Sequence, residues 1–550
     1  MKLNRKAVLA SILSVLMAAS FLTACGSGGS NAAVSSGSGA SGSEGLTTIR
    51  IMGPDPTTSV GNTEVAFSDW VTNGSKMYEK LTEDLAGYGI KLDLNLIPYD
   101  QYATVCQTQL ATGLDCDFMA VGPLDTLTLL NLVDQGKAQP INQIINKYST
   151  GSAKKFYTDG AGAFSMKLNS LADGNAYWLT TITVADYNGK PTGMSLTFQI
   201  RQDWLDKLGL PMPSSLDELY NTLLAFQKKD ANGDGSPDEV ISVPLDSFGS
   251  DIAQWFGLGA DTTYVIDETG KVTSPWYQPH VKEYIQFMQK LNKAGLLETS
   301  TQESQKTAEN KISAVATWSG ETWVEPTINL PAGAKPAEFV PVIIKAVADQ
   351  EPLIRMQRGS QNNDSQKYIV TNEAKNPEAI AKLTDYLCSD EFNTLSQWGI
   401  KDVTYKEENG VRTKINGNPD GDAMFSAAVA LWSSDGIFPR YEVGRSRSEE
   451  LNAVKEAGLA AKAKVAEQTL TYAHTTPQNP ASDFAVPTKD EVTRINSITT
   501  DLTTYSSELL TKLILEQKSL NDWDSYLSDM KRLGLDELIS INQARYDRSK

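Results

Sequence analysis

Histidine is nearly missing from this chain of 550 residues: only His280 and His474 occur. Neither sits in a ligand-spaced motif, which disfavours a His-rich zinc site and a serine–histidine hydrolase. Positive charge is in the minority, with 49 Lys and Arg against 67 Asp and Glu and a net charge of −18. Nucleic-acid binders need basic patches to replace counterions, so an acidic surface argues against that class. There is no internal repeat, and no second apolar run after the N-terminus is long enough to span a membrane. What is present, 21% charged and 40% hydrophobic residues, describes a soluble globular protein. The length exceeds one ordinary core and predicts two or three domains.

The N-terminus predicts the compartment. Lys2, Arg5 and Lys6 form a basic start, Ala7–Phe21 is apolar with small residues, and Leu22-Thr23-Ala24-Cys25-Gly26 follows. This pattern reads as a secretory signal over 1–24. Leu-Thr-Ala-Cys-Gly resembles a bacterial lipobox, which implies cleavage before Cys25, a lipid on its thiol (diacylglyceryl, with palmitate as the expected acyl type) and anchorage at the outer face of the cell membrane. Loss of the three leader cations would take the net charge from −18 to −21. Residues 25–45 are almost wholly Ser, Gly and Ala, a flexible tether. Among the remaining cysteines, a Cys106–Cys116 bridge and two free thiols both fit the spacing, while Cys388 reads as a small buried residue.

Strands and helices alternate from Thr47 onward. Thr47–Gly53 is β-like, Ser75–Leu85 helical, and Ile90–Ile97 alternates Ile90, Leu92, Leu94 and Leu96 with polar residues. Asp100–Thr112 is the next helix and Asp117–Gly122 a short buried strand; Leu124–Tyr148 is helical with a break near Gly136 and Pro140. The alternation predicts an α/β fold on a parallel sheet.

Asp230–Glu239 places oxygen-bearing side chains at Asp230, Asn232, Asp234, Ser236 and Asp238, with Glu239 adjoining. Calcium takes six to eight oxygens at roughly 2.3–2.6 Å, and an alternating loop can wrap them around one ion. Gly235 occupies the sixth loop position, where the chain turns sharply. Ile241 stands where an EF-hand has its bidentate glutamate, so Asp238 or Glu239 must close the site. The bland alternative is a solvated acidic turn. A bound Ca2+ here is expected to be structural, because its ligands are local.

Several segments resemble family 1 extracellular solute-binding proteins, the substrate-binding lipoproteins of ABC importers, in their long form. IKLDLNLIPYDQYATVCQTQLATGLDCDFMAV is similar to the family's strand, tyrosine-bearing helix, small-Gly turn and Asp-terminated strand, with Cys116 in place of the usual proline. Asp173–Ile182 is similar to the segment that first crosses between lobes. Arg201, Asp203, Trp204, Leu205, Leu208, Gly209 and Leu210 meet the family's Arg-x-Asp-Trp-Leu-x-x-Leu-Gly-Leu signature, and Asp230–Glu239 its calcium-type loop. Val281–Leu297, Lys311–Trp323, Asn376–Leu387, Gln397–Ile400 and Trp523–Tyr546 continue the likeness. The resemblance implies a periplasmic-binding-protein-like fold of type 2: two discontinuous α/β lobes joined by a hinge, with the ligand in the cleft. Lobe one is expected at 46–178 plus 372–430, lobe two at 180–370 plus 431–550.

The implied function is a monomeric carrier that captures a carbohydrate, expected to be an oligosaccharide, and delivers it to an ABC permease without catalysis. Sugars stack C–H faces on aromatic planes and need convergent polar groups. Trp70, Trp178, Trp255, Trp318, Trp323 and Trp432 are candidate ligand contacts, with Tyr177 bordering the cleft beside Trp178. Trp204 and Trp523 read as core. Arg355 and Arg358 could bind hydroxyls or carboxylates. A carbohydrate-active enzyme, needing two carboxylates across a cleft, and a peptide-binding or sensor protein on the same fold are the alternatives.

Overall fold

The computed structural model describes residues 45–60, 63–160, 162–187, 190–191, 197–248, 251–258, 265–267, 269–300, 302–317, 323–324, 328, 330, 337–350, 352, 359–408, 411–415, 436–439, 441–443 and 484–550. The leader, Cys25 and nearly all of the tether lie outside these residues, as do Trp318, Arg355, Arg358, Trp432 and His474. The strands of the two larger sheets are β1 (Thr47–Asp55), β2 (Ile90–Pro98), β3 (Phe118–Ala120), β4 (Trp178–Tyr187), β5 (Thr197–Arg201), β6 (Val240–Ser242), β7 (Ile312–Thr317), β8 (Trp323–Val324), β9 (Glu338–Pro341), β10 (Gly359–Val370) and β11 (Tyr441–Val443).

The first sheet runs β11-β4-β10-β3-β1-β2. β1 pairs in parallel with both β2 and β3, whereas β10 is antiparallel to β3 and to β4. β1 buries residues on both faces, as a central strand must, while β2 keeps Leu92, Leu94 and Leu96 half-buried at the sheet edge. The second sheet runs β8-β9-β5-β7-β6. Its expected parallel character is only partial: β7 and β6 are parallel, but β5 is antiparallel to both neighbours.

Local chemistry sets the helix ends. Ser75 caps α1's successor, so the helices are α1 (Phe67–Asn73) and α2 (Lys76–Gly87), the latter burying Met77, Leu81 and Leu85 at four-residue spacing. α3 (Tyr99–Thr112) follows β2 without a gap. The break expected within 124–148 is present, between α4 (Thr126–Asp134) and α5 (Ile141–Tyr148), because Gly136 takes a positive φ of 66° and Pro140 cannot continue a helix. α6 (Gln202–Leu208) and α7 (Leu216–Lys228) follow β5; Ser215 accepts from the Glu218 amide, and Glu218 reaches back to Ser214. α8 (Val281–Lys293), α9 (Pro377–Leu387) and the 26-residue α10 (Lys489–Ile514) complete the framework needed below.

Two large hydrophobic clusters form. One gathers Ile51, Met52, Phe118, Ile182, Ile369 and Leu383; the other gathers Phe198, Leu205, Phe226, Ile241, Trp255 and Met288. α10 joins both, giving Val492 to the first and Ile498, Leu502 and Leu510 to the second. Tyr368, Ile369 and Val370, together with Ile437, Phe438 and Tyr441, pack in the first cluster, although the expected boundaries assigned them to lobe two. The reason is that β10 and β11 extend the first sheet through β4.

Of the two alternatives the spacing left open, the structure has the free thiols: Cys106, Cys116 and Cys388 are free and buried. Burial pushes the Cys106 thiol up to about 11 and Cys116 up to about 12.

Candidate functional site

The first sheet changes direction at β1. The chain goes from β1 to β2 on one side, then returns to β3 on the other. Such a switch leaves a crevice at the carboxyl ends of the strands, where open α/β sheets take their ligands. A cavity of about 170 Å³ lies there, lined by Pro54, Tyr99, Tyr102, Ala120, Gly122, Pro123, Gln366, Lys367, Tyr368 and Gly436.

Two tyrosines of one helix divide the labour in this cavity. Tyr102 is fully buried, and its hydroxyl lies 2.5 Å from the Ala120 carbonyl oxygen and 3.2 Å from that of Met52. It therefore ties together the ends of β3 and β1, and burial raises its pKa well above the ordinary phenol value. Tyr99, three residues earlier at the first position of α3, is 55% exposed at the mouth. Among the described residues only Tyr99 and Met212 are large hydrophobics exposed to this degree.

The opposite wall comes from β10. Its ladder with β4 is interrupted: Asn363 pairs with Thr181 and Lys367 with Thr180, so residues 364–366 form a three-residue bulge. Beyond the bulge, β10 joins β3, and the Val121 amide donates to the Lys367 carbonyl at 2.7 Å. Gln366, the last bulge residue, is 6% exposed, and its Oε1 has no hydrogen-bond partner. Tyr368 donates to the Gly436 carbonyl at 3.0 Å and fixes the floor.

The oxygen-rich loop lies apart from this cavity, after α7. Asp230 takes a φ of 50°, a left-handed value that ends the helix, and Gly235 takes 91° at the predicted sharp turn. The amides of Gly233 and Gly235 donate to Asp230, those of Asp234 and Ser236 to Asn232 and Asp234, and that of Asn232 to Glu239 Oε1. Glu239 is fully buried, with Oε2 unpartnered, and burial raises its pKa. Asp238 keeps one shielded, unpartnered oxygen while the other meets Lys311 at 2.9 Å. Among the described residues no three His, Cys, Asp or Glu side chains converge closely enough to hold a metal ion. The donor chemistry nevertheless fits a hard cation, since the loop is rich in oxygen side chains and holds two shielded carboxylate oxygens without partners.

The candidate tryptophans do not gather in one place. Trp178 begins β4 and is 1% exposed in the first cluster, its indole N–H unpartnered. Trp255 is 1% exposed too, edge-to-face with Phe198 at 5.5 Å on a short helix rather than a loop. Both are core residues here, because each strand or helix turns them inward. Trp70, on α1, is half-buried with a shielded, unpartnered indole nitrogen. Trp323 lies on β8 opposite Phe339. Trp204 and Trp523 are buried, as expected. Sequence reading missed Tyr99, Gln366 and Lys367. Tyr99 carried a signal, an aromatic directly after an alternating strand; Gln366 carried none, since its position depends on pairing across the sheet.

Comparison with known proteins matches residues 68–394 to the bacterial extracellular solute-binding protein family. The fructooligosaccharide ABC transporter substrate-binding protein FusA of Streptococcus pneumoniae is 22% identical over 447 residues, 76% of this chain and 77% of its own. Its solved structure with kestose has a TM-score of 0.65 at 19% identity and covers 91% of this chain and 99% of that one. An EF-hand mutant of FusA with fructo-nystose gives 0.65 at 18% identity, with the same coverage. An HMO binding ABC-transporter associated solute-binding protein from Bifidobacterium longum infantis gives 0.66 at 17% identity, covering 92% and 99%. These likenesses show the periplasmic-binding-protein-like fold.

Proposed function

This chain belongs to the bacterial extracellular solute-binding protein family, and from that premise we propose that it captures a carbohydrate, an oligosaccharide, in the cleft that begins at the switch-point cavity. The observation that carries the reading is Tyr99, a large aromatic 55% exposed at the mouth of that cavity. An exposed ring beside buried polar groups is what a sugar needs, with C–H faces on the ring and hydroxyls on the polar atoms. At about 170 Å³ the cavity is smaller than the roughly 300–1,000 Å³ of a complete small-molecule site. It serves as one subsite, and further sugar units extend across the cleft. FusA, with its kestose complex, supports an oligosaccharide as the ligand class.

Closure is the transport signal. β4 and β10 form the long antiparallel ribbon of the hinge, with lobe one at 46–178, 366–408 and 436–443 and most of the remaining described chain in lobe two. Ligand contacts on both sides favour the closed form only through their difference in affinity for the two states. The closed form then meets an ABC permease. Cys25 carries the lipid that holds the protein at the outer face of the membrane, and the tether gives it reach. Among the described residues no helix is long and apolar enough to cross a membrane.

Asp230, Asn232, Asp234, Ser236, Asp238 and Glu239 would hold a calcium ion, which would compensate their charge and pin the turn after α7. The EF-hand mutant of FusA supports a site of this kind in a relative.

The test is a thermal-shift screen of the full chain with kestose, other neutral oligosaccharides, charged oligosaccharides and peptides. A ligand that binds only the native state raises the melting temperature, by about 2.7 kcal/mol of stabilisation at a hundred times Kd. A shift with at least one oligosaccharide is expected; a shift with peptides alone would replace the carbohydrate reading.

A further inference from the structure

The bulge in β10 stands where two pairing regimes meet. Residues 359–363 pair only with β4, whereas 368–370 also pair with β3 inside the first sheet. Three unpaired residues between those ladders make a natural point of articulation for the hinge ribbon. Gln366 is the last of them, is buried, lines the switch-point cavity and has an acceptor oxygen with no donor. Gln366 lines the cavity while its Oε1 is shielded, and buried polar atoms are almost always partnered, so the orphan points to a donor that reaches it when the bulge moves.

We propose that Gln366 is the residue through which an occupied cavity acts on the hinge: its Oε1 accepts a hydrogen bond from a ligand hydroxyl and so fixes the bulge. This rests on the carbohydrate reading given above and adds the residue that couples occupancy to closure. A neutral amide suits the task, because it offers an acceptor to a hydroxyl without the desolvation cost of a carboxylate. The neighbouring anchors stay fixed: Tyr368 to Gly436, and the Lys367 carbonyl to Val121. A bond at Gln366 therefore restrains the bulge relative to a wall that is already rigid.

The experiment compares the full-length wild type with Gln366→Met, which keeps length and removes the amide, acceptor and donors together. Each is titrated calorimetrically with the oligosaccharides of the screen, kestose included, and compaction on binding is read by small-angle scattering. Gln366→Met should bind at least tenfold more weakly than the wild type and show less compaction at equal saturation. Its sugar-free melting temperature should equal or exceed the wild type's, since the variant replaces an amide whose buried acceptor is unpartnered with an apolar chain of the same length. Wild-type binding that Gln366→Met retains within twofold overturns the assignment alone. A sugar-free melting temperature several degrees below the wild type's also overturns it, because the amide would then have had a partner in the sugar-free fold. A wild type that binds none of the oligosaccharides overturns the carbohydrate reading and this assignment together.

Discussion

Asp203 grips Arg201 with both carboxylate oxygens, at 2.7 Å from Nε and 2.6 Å from Nη2. The guanidinium is 1% exposed, lies over Trp204 at 4.1 Å, and donates its remaining reach to Asn310 at 2.7 Å. The Arg-x-Asp-Trp signature thus builds the corner of the second lobe, where β5 becomes α6 and meets β9. Its tryptophan is a stacking plate for the arginine.

Removing one partner of that pair leaves a buried charge uncompensated. Asp203→Ala should cost about 3–5 kcal/mol of unfolding free energy, the range for broken buried pairs, with the loss read from the midpoint in urea. A loss below about 1 kcal/mol would place the pair among weakly contributing surface contacts.

The two tyrosines of α3 should separate stability from binding. Tyr102→Phe removes the hydroxyl that holds Ala120 and Met52 and should cost about 1–2 kcal/mol. Tyr99→Ala, at an exposed site, should change stability by no more than about 0.5 kcal/mol. Its oligosaccharide affinity should nevertheless fall about tenfold or more. Equal stability losses in the two variants would remove the distinction.

Glu239 predicts a pH dependence that calcium reverses. Burial raises its pKa in the folded chain, so the unfolded chain releases that proton at lower pH than the folded one. In chelator, this group's contribution to stability is complete below the unfolded carboxylate pKa and is lost as pH rises through the raised folded value. Glu239→Gln should therefore melt higher than the wild type in chelator at pH 7.5, with the gap closing at pH 4. Added Ca2+ should raise the wild-type melting temperature at pH 7.5 and have a much smaller effect on Glu239→Gln or Asp230→Ala. An unchanged calcium response in both variants would move the ion elsewhere.

Three buried thiols with no disulfide give a simple chemical test. Only thiolates react quickly with a disulfide reagent, and burial keeps Cys106, Cys116 and Cys388 protonated. At pH 8 the native protein should show none of these three reacting fast, and all three after denaturation. Cys388 alone of these three reacting after denaturation would indicate a Cys106–Cys116 bridge.

Much of the fold was legible because it depends on short-range chemistry. The Ile90–Ile97 alternation became β2, the Ser75 cap set α2, and Gly136 with Pro140 split the next helix. The oxygen spacing of Asp230–Glu239 and the glycine at its turn were readable for the same reason. The proposed binding mouth was not. Tryptophan content drew attention to Trp178 and Trp255, which the sheet and a short helix turn into the cores. The cavity wall depends on the bulge that places Gln366, and the bulge depends on how β10 pairs with β4, about 190 residues earlier in the chain; no local pattern encodes that register.

Calorimetric titration of oligosaccharides, kestose among them, into the calcium-loaded full chain is the most direct measurement. Saturable one-site binding by at least one neutral oligosaccharide, lost or weakened tenfold in Tyr99→Ala, is the predicted result. Binding that Tyr99→Ala leaves unchanged, or no binding by any oligosaccharide, would contradict a carbohydrate cleft at the switch point.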